Sequence, residues 1–170
     1  MKPLAAVGLG SLLICIGCGV AQSSDAPQVL NGKPKGADQP SPQEKSYRDA
    51  FVQISAKFAA IHRPDQESSP DAFLANLRDN HDKEREIISE LSDLKPPQKF
   101  KEFHDTMVEW KKERWALDEE GIGYLSEKET SKVDELSRRI DEVGVNYTQK
   151  IDEIVKAHGY NSTEKFLGIQ

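Results

Sequence analysis

Cys15 and Cys18 are the only thiols in the chain, set as Cys-x-x-Cys. That spacing serves dithiol exchange, and with a histidine directly after the second cysteine it serves covalent haem attachment. Gly19 stands where that histidine belongs, and the flanks are apolar on both sides, so neither chemistry fits. No cysteine follows residue 18, which excludes disulfides as determinants of anything downstream. The four histidines are the next candidates. Di-iron carboxylate bundles set Glu-x-x-His pairs so that both ligands share one helical face. Here the residues three before His62, His81, His104 and His158 are Ala59, Arg78, Lys101 and Val155, so no such pair exists. His-Glu-x-x-His, a phosphate-cradling glycine loop and a serine nucleophile elbow are also absent. No catalytic residue and no cofactor is therefore predicted.

One constellation remains. Asn80, His81 and Glu84 occupy positions where the apolar stripe of a helix should continue. His81 and Glu84 lie one turn apart on one face, a spacing that lets imidazole and carboxylate grip a small polar ligand or a metal together. The alternative is a hydrated, splayed part of a thin helix pair in which His81 bonds a neighbour. His104 beside the Phe100 and Met107 stripe, His158 in a final helical turn and the off-stripe Trp115 each admit a structural explanation: packing for the first and third, complementing the helix dipole for the second.

The elements that carry these residues are helices. Ser41-Pro42-Gln43-Glu44 is a capping box with proline at the first helical position, and Tyr47, Phe51, Ile54, Phe58 and Ile61 recur behind it until Arg63-Pro64. Ser69-Pro70-Asp71 opens a second helix with the stripe Phe73, Leu74, Leu77, Ile87, Ile88, Leu91 and Leu94, closed by Pro96-Pro97. A third carries Phe100, Phe103, Met107, Trp110 and Leu117, interrupted by Arg114, and Gly121 and Gly123 are expected to stop it. Ser126-Glu127-Lys128-Glu129 reads as a second capping box for a fourth helix. Its seam, from Val133 through Leu136, Ile140, Val143, Tyr147, Ile151 and Ile154 to His158, ends at Gly159. Asn161 to Ile169 adds one short turn. Short connections force antiparallel neighbours, so the expected fold is all-α, an antiparallel up-down four-helix bundle over residues 41–170. A three-helix bundle with the first helix loosely docked is the alternative.

The N-terminal residues read as an address. Lys2 precedes an apolar run from Leu4 to Ile16, of the length a secretory signal uses. Gly8, Gly10, Gly17 and Gly19 weaken that run as a spanning helix. Ile14-Cys15-Ile16-Gly17-Cys18 resembles the lipobox of bacterial lipoproteins, in which a small residue precedes a cysteine that is diacylated and becomes the N-terminus. Ile16, Gly17 and Cys18 follow that pattern, while Cys15 stands where leucine is usual. The resemblance implies cleavage before Cys18 and a lipid on its sulfur. Cleavage after Ala21, behind the small residues Gly19 and Ala21, is the alternative and would give a soluble secreted or periplasmic protein. Residues 1–21 are thus assigned to the signal and 22–40, polar and proline-rich, to a flexible tether.

Leu91-Ser92-Asp93-Leu94-Lys95-Pro96-Pro97 with Phe103-His104 resembles small helical lipoproteins of unassigned role, a likeness that carries no activity and no residue role. Charge limits the partners. The formal net charge is −6, and losing Lys2 with the signal makes it −7, so attraction to nucleic acid is not expected. The expected contacts are the membrane, through the lipid anchor, and an envelope protein. A small-ligand or metal carrier is the competing function.

Overall fold

The computed structural model describes residues 40–61 and 69–169, and among them every regular element is helical. The expected signal, Cys18, His62, the Arg63-Pro64 helix end and all of the tether except Pro40 lie outside the described residues. The elements are α1 (Pro42–Ala60), α2 (Pro70–Asp93), a 3₁₀ turn (Gln98–Phe100), α3 (Lys101–Ser126), α4 (Thr130–Ala157) and the short α5 (Thr163–Leu167).

The first two helix starts form as their residue types dictate. Ser41 Oγ accepts the Glu44 N–H at 3.2 Å while the Glu44 carboxylate accepts the Ser41 N–H at 2.8 Å, satisfying two donors that a helix N-terminus would otherwise leave open. Ser69 Oγ accepts the Ala72 N–H at 3.3 Å, with Pro70 behind it. The start of α4 differs from expectation. Glu129 is its N-cap and makes no side-chain capping bond, and the Ser126 hydroxyl instead donates to the Ile122 carbonyl and accepts from Arg78. Ser126 is still helical, because α3 runs through Gly121 and Gly123 where a stop was expected. The reason for Gly121 is packing. A Cβ there would lie 3.0 Å from Leu136 Cδ2, so the missing side chain lets α4 approach closely. The turn between the two helices is completed by Lys128, a non-glycine residue at φ 60°.

Cross-helix contacts give the directions. Glu120 meets Arg139, Trp110 meets Tyr147 and Glu109 meets Lys150, so α3 and α4 run oppositely. Arg78 meets Ser126 and His81 meets Trp115, so α2 and α3 also run oppositely. Tyr47 meets Phe100, Phe51 meets Phe103 and Phe58 lies under Lys111, so α1 and α3 share a direction.

The apolar stripes pack as two clusters. The larger joins Tyr47, Phe51 and Ile54 of α1, Ile87 and Leu91 of α2, Phe103 and Trp110 of α3 and Ile151, Ile154 and Val155 of α4. Phe166 of α5 is fully buried where α3 begins and α4 ends, with ring centroids 5.1 Å from Phe100, 5.6 Å from Phe103 and 5.5 Å from Tyr160. Burying a ring of this size contributes on the order of 1.5 to 3 kcal/mol. Gly168, at φ 67°, ends α5 and lets the Arg48 guanidinium of α1 press against the backbone, where a Cβ would meet Nη1 at 2.5 Å. The smaller cluster is Leu117 of α3 with Leu136 and Ile140 of α4. Phe73, Leu74 and Leu77 belong to neither and remain half-buried. α1 explains that division: its last turn is level with Glu90, which pairs with Lys57, so the first half of α2 extends past it.

Candidate functional site

Where α1 ends, the facing surfaces of α2 and α3 turn polar, and the three residues singled out by spacing lie there. Asn80, His81 and Glu84 are half-buried on α2. Across from them α3 presents Lys111, Arg114, Trp115 and Asp118, also half-buried. Apart from Trp115 these are two acids and two bases facing each other beside His81 and Asn80. Antiparallel pairing of α2 and α3 about the Pro96-Pro97 turn is what brings the two polar stretches to one level.

His81 and Trp115 are locked together. Their rings stack with centroids 4.3 Å apart and 16° between planes. His81 Nε2–H donates to the Trp115 carbonyl at 3.1 Å, and Trp115 Nε1–H donates to the His81 carbonyl at 3.0 Å. A carbonyl can only accept, so Nε2 carries a hydrogen and is not free to bind a metal. His81 and Glu84 share a face as their spacing requires; the hydrogen bond to Trp115 uses His81 Nε2 and leaves Nδ1 as the ring's acceptor. Asn80 is also engaged.

The charges beside this pair are partly desolvated. Burial raises the Glu84 carboxyl above its ordinary value, Asp118 adds to the shift, and Lys111, Arg114 and His81 oppose it. Burial lowers the Lys111 ammonium, with Glu84 pulling it back up. Lys111 Nζ sits 4.4 Å from the Phe58 ring centroid and 5.0 Å from that of Trp110, so aromatic faces supply part of the stabilisation that water would. Arg114 Nε donates to both carboxylate oxygens of Asp118, at 3.1 and 3.0 Å. The arrangement cross-links α2 to α3 and closes the end of α1. Among the described residues no three His, Asp or Glu side chains are grouped to hold a metal ion.

Lys111, Arg114 and Asp118 complete a layer that spacing on α2 alone did not reveal. Their signal was present in the sequence: they recur at i, i+3 and i+7 on one face of α3, at the distance past Pro97 that mirrors Asn80 to Glu84 before it.

The other singled-out residues lie elsewhere. His104 is buried at the α1–α3 junction, its Nδ1 3.3 Å from the Tyr47 hydroxyl. Burial lowers the pKa of the imidazole and raises that of the Tyr47 phenol. His158 is exposed at the end of α4, its ring 5.2 Å from Phe166. A shallow groove between α3 and α4 is lined by Lys101, Glu102, Asp105, Glu109, Lys150 and His158, charges of both signs. Among the described residues no helix is long and apolar enough to cross a membrane. Comparison of the chain with protein-family models, with curated proteins and with solved structures finds no match.

Proposed function

We propose that this chain is an exported protein, held at a membrane by a lipid on Cys18, whose helical region serves the bacterial cell envelope as a non-enzymatic protein-interaction or structural module. The observation that carries the module reading is the His81–Trp115 pair. The imidazole best placed by type and spacing to hold a ligand commits Nε2 and a ring face to joining α2 to α3, and Arg114 and Asp118 beside it pair with each other. The lipid and the tether supply retention: several acyl chains, each contributing about 0.8 kcal/mol per buried methylene, make departure from the membrane slow. We further propose that the helices form an antiparallel up-down four-helix bundle with α1 as its short member. The shared direction of α1 and α3 and the opposed directions of α2–α3 and α3–α4 support that arrangement.

Crosslinking in intact cells tests the module. A reproducible adduct between residues of the helical region and another envelope protein is the expected result. An isolated monomer in the full-length protein, with no adduct in the Cys18→Ser variant either, contradicts it.

One observation favours a second reading as a small-ligand carrier. Glu84 and Lys111 are desolvated opposite charges, yet no hydrogen bond or ion pair joins them among the described residues, and a small polar molecule could bridge them. Native mass spectrometry after expression in the protein's own compartment separates the readings, since a carrier retains an adduct that Glu84→Gln removes.

A further inference from the structure

α1 is joined to the protein in a different way from its neighbours. α3 lies along α2 on one side and α4 on the other, with paired contacts spread over both seams. α1 packs along α2 and reaches α3 and the 3₁₀ turn before it through rings: Tyr47 stacks on Phe100 at 5.3 Å, and Phe51 meets Phe103 at 5.5 Å. At this junction His104, 3% exposed, places Nδ1 3.3 Å from the hydroxyl of Tyr47, itself 4% exposed. Their rings meet edge-on at 5.8 Å. The Lys57–Glu90 pair, also reaching from α1, is half in water and holds little.

We propose that His104 and Tyr47 form a proton-operated latch, which keeps α1 docked at neutral pH and releases it as the surroundings acidify. A neutral imidazole suits this position because it tolerates burial and can share one hydrogen bond with the phenol. An imidazolium brings a whole charge among aromatic rings. The charges that bear on it are Asp105, which favours the imidazolium, and Lys101, which opposes it, both on α3; burial outweighs them. α1 brings the Tyr47 phenol, and its Arg48, with Lys99 of the 3₁₀ turn, adds positive charge over the Phe100 ring.

The sign follows from proton counting. With α1 lifted, His104 is solvated and titrates at its ordinary 6.5; docked, it titrates lower. Between those two values the open form binds more protons, so acidification favours opening, by up to about tenfold in the opening constant per pH unit within that interval. Opening uncovers the faces of Phe100 and Phe103 that Tyr47 and Phe51 cover, the two rings being at most 1% exposed when α1 is docked, and so presents more apolar surface as the pH falls. This inference stands whether or not the chain carries a lipid.

Hydrogen exchange of the full-length protein, as processed by the cell that makes it, reads the latch. Protection factors, which remove the intrinsic pH dependence of exchange, should fall in α1 as the pH drops below 6.5, by at most about tenfold per pH unit, while those along α4 hold. His104→Gln should abolish the pH dependence in α1. Parallel loss in α1 and α4, or an unchanged pH dependence in His104→Gln, overturns the proposal. Should that variant fail to fold, NMR titration of the parent decides. A His104 ring titrating below 6.5 as its contacts with Tyr47 disappear supports the latch, and one titrating at 6.5 or above with those contacts kept refutes it.

Discussion

Replacing His81 by alanine removes two things at once: the Nε2–H bond to the Trp115 carbonyl and the stacked ring 4.3 Å away. It leaves the Trp115 Nε1–H bond to the residue 81 carbonyl in place, since that acceptor is backbone. The lost hydrogen bond costs about 0.5 to 1.5 kcal/mol and the lost stack about as much again, so the variant should be about 1 to 3 kcal/mol less stable. Trp115→Phe keeps a ring for stacking and loses the indole donor with the pyrrole part of the ring; the His81 carbonyl retains its place in the helix ladder, so the cost should be at least about 0.5 to 1.5 kcal/mol. In a double-mutant cycle of His81→Ala with Trp115→Ala the stack is lost once but counted twice, which predicts a coupling of about 0.5 to 1.5 kcal/mol. Urea unfolding of all four proteins, with and without added divalent metal, is the assay. Coupling below about 0.3 kcal/mol, or stability of the parent that rises with metal and falls back in His81→Ala, would show that the pair does not serve as a cross-link between helices.

Other changes should be as selective. Gly123→Ala meets nothing within 4 Å and should stabilise α3 by about 0.5 to 1 kcal/mol in thermal unfolding, whereas Gly121→Ala, which crowds the buried Leu136, should lose that gain or destabilise. Phe166→Ala, which removes a fully buried ring from the larger cluster, should cost about 3 to 5 kcal/mol in urea unfolding. Glu84 binds its proton more tightly folded than unfolded, so its contribution to stability is lost as pH rises from the ordinary 4.5 through the raised folded value. Glu84→Gln should therefore gain on the parent between pH 4 and 7 in unfolding followed across that range.

Much of the helical architecture was legible because each signal was local. Ser41 and Ser69 cap where their side chains can reach, Pro70 sits where its missing N–H costs nothing, and the Val133 to Ile154 seam faces inward because its period matches the helix. What failed was not local. Gly121 looks like a stop in sequence, and only the approach of Leu136 shows that its size, and not its conformational freedom, is what is used. The capping box at Ser126 was a correct residue pattern overridden by one more turn of α3, in which the serine hydroxyl bonds back to Ile122. Phe166 gave no hint of its importance in a five-residue element, because its burial depends on α5 folding back across the ends of α3 and α4. For the candidate site, the polar break at Asn80 to Glu84 was visible, but its partner layer on α3 and the early end of α1 that explains it required the register between helices.

The most direct measurement is the intact mass of the mature protein recovered from the membrane fraction. A lipid-anchored protein gives a chain beginning at Cys18, heavier than its sequence by the mass of the acyl groups, that partitions into detergent and loses both properties in the Cys18→Ser variant. A chain beginning at Gln22, without acyl mass and found in the aqueous phase, would contradict the lipid anchor.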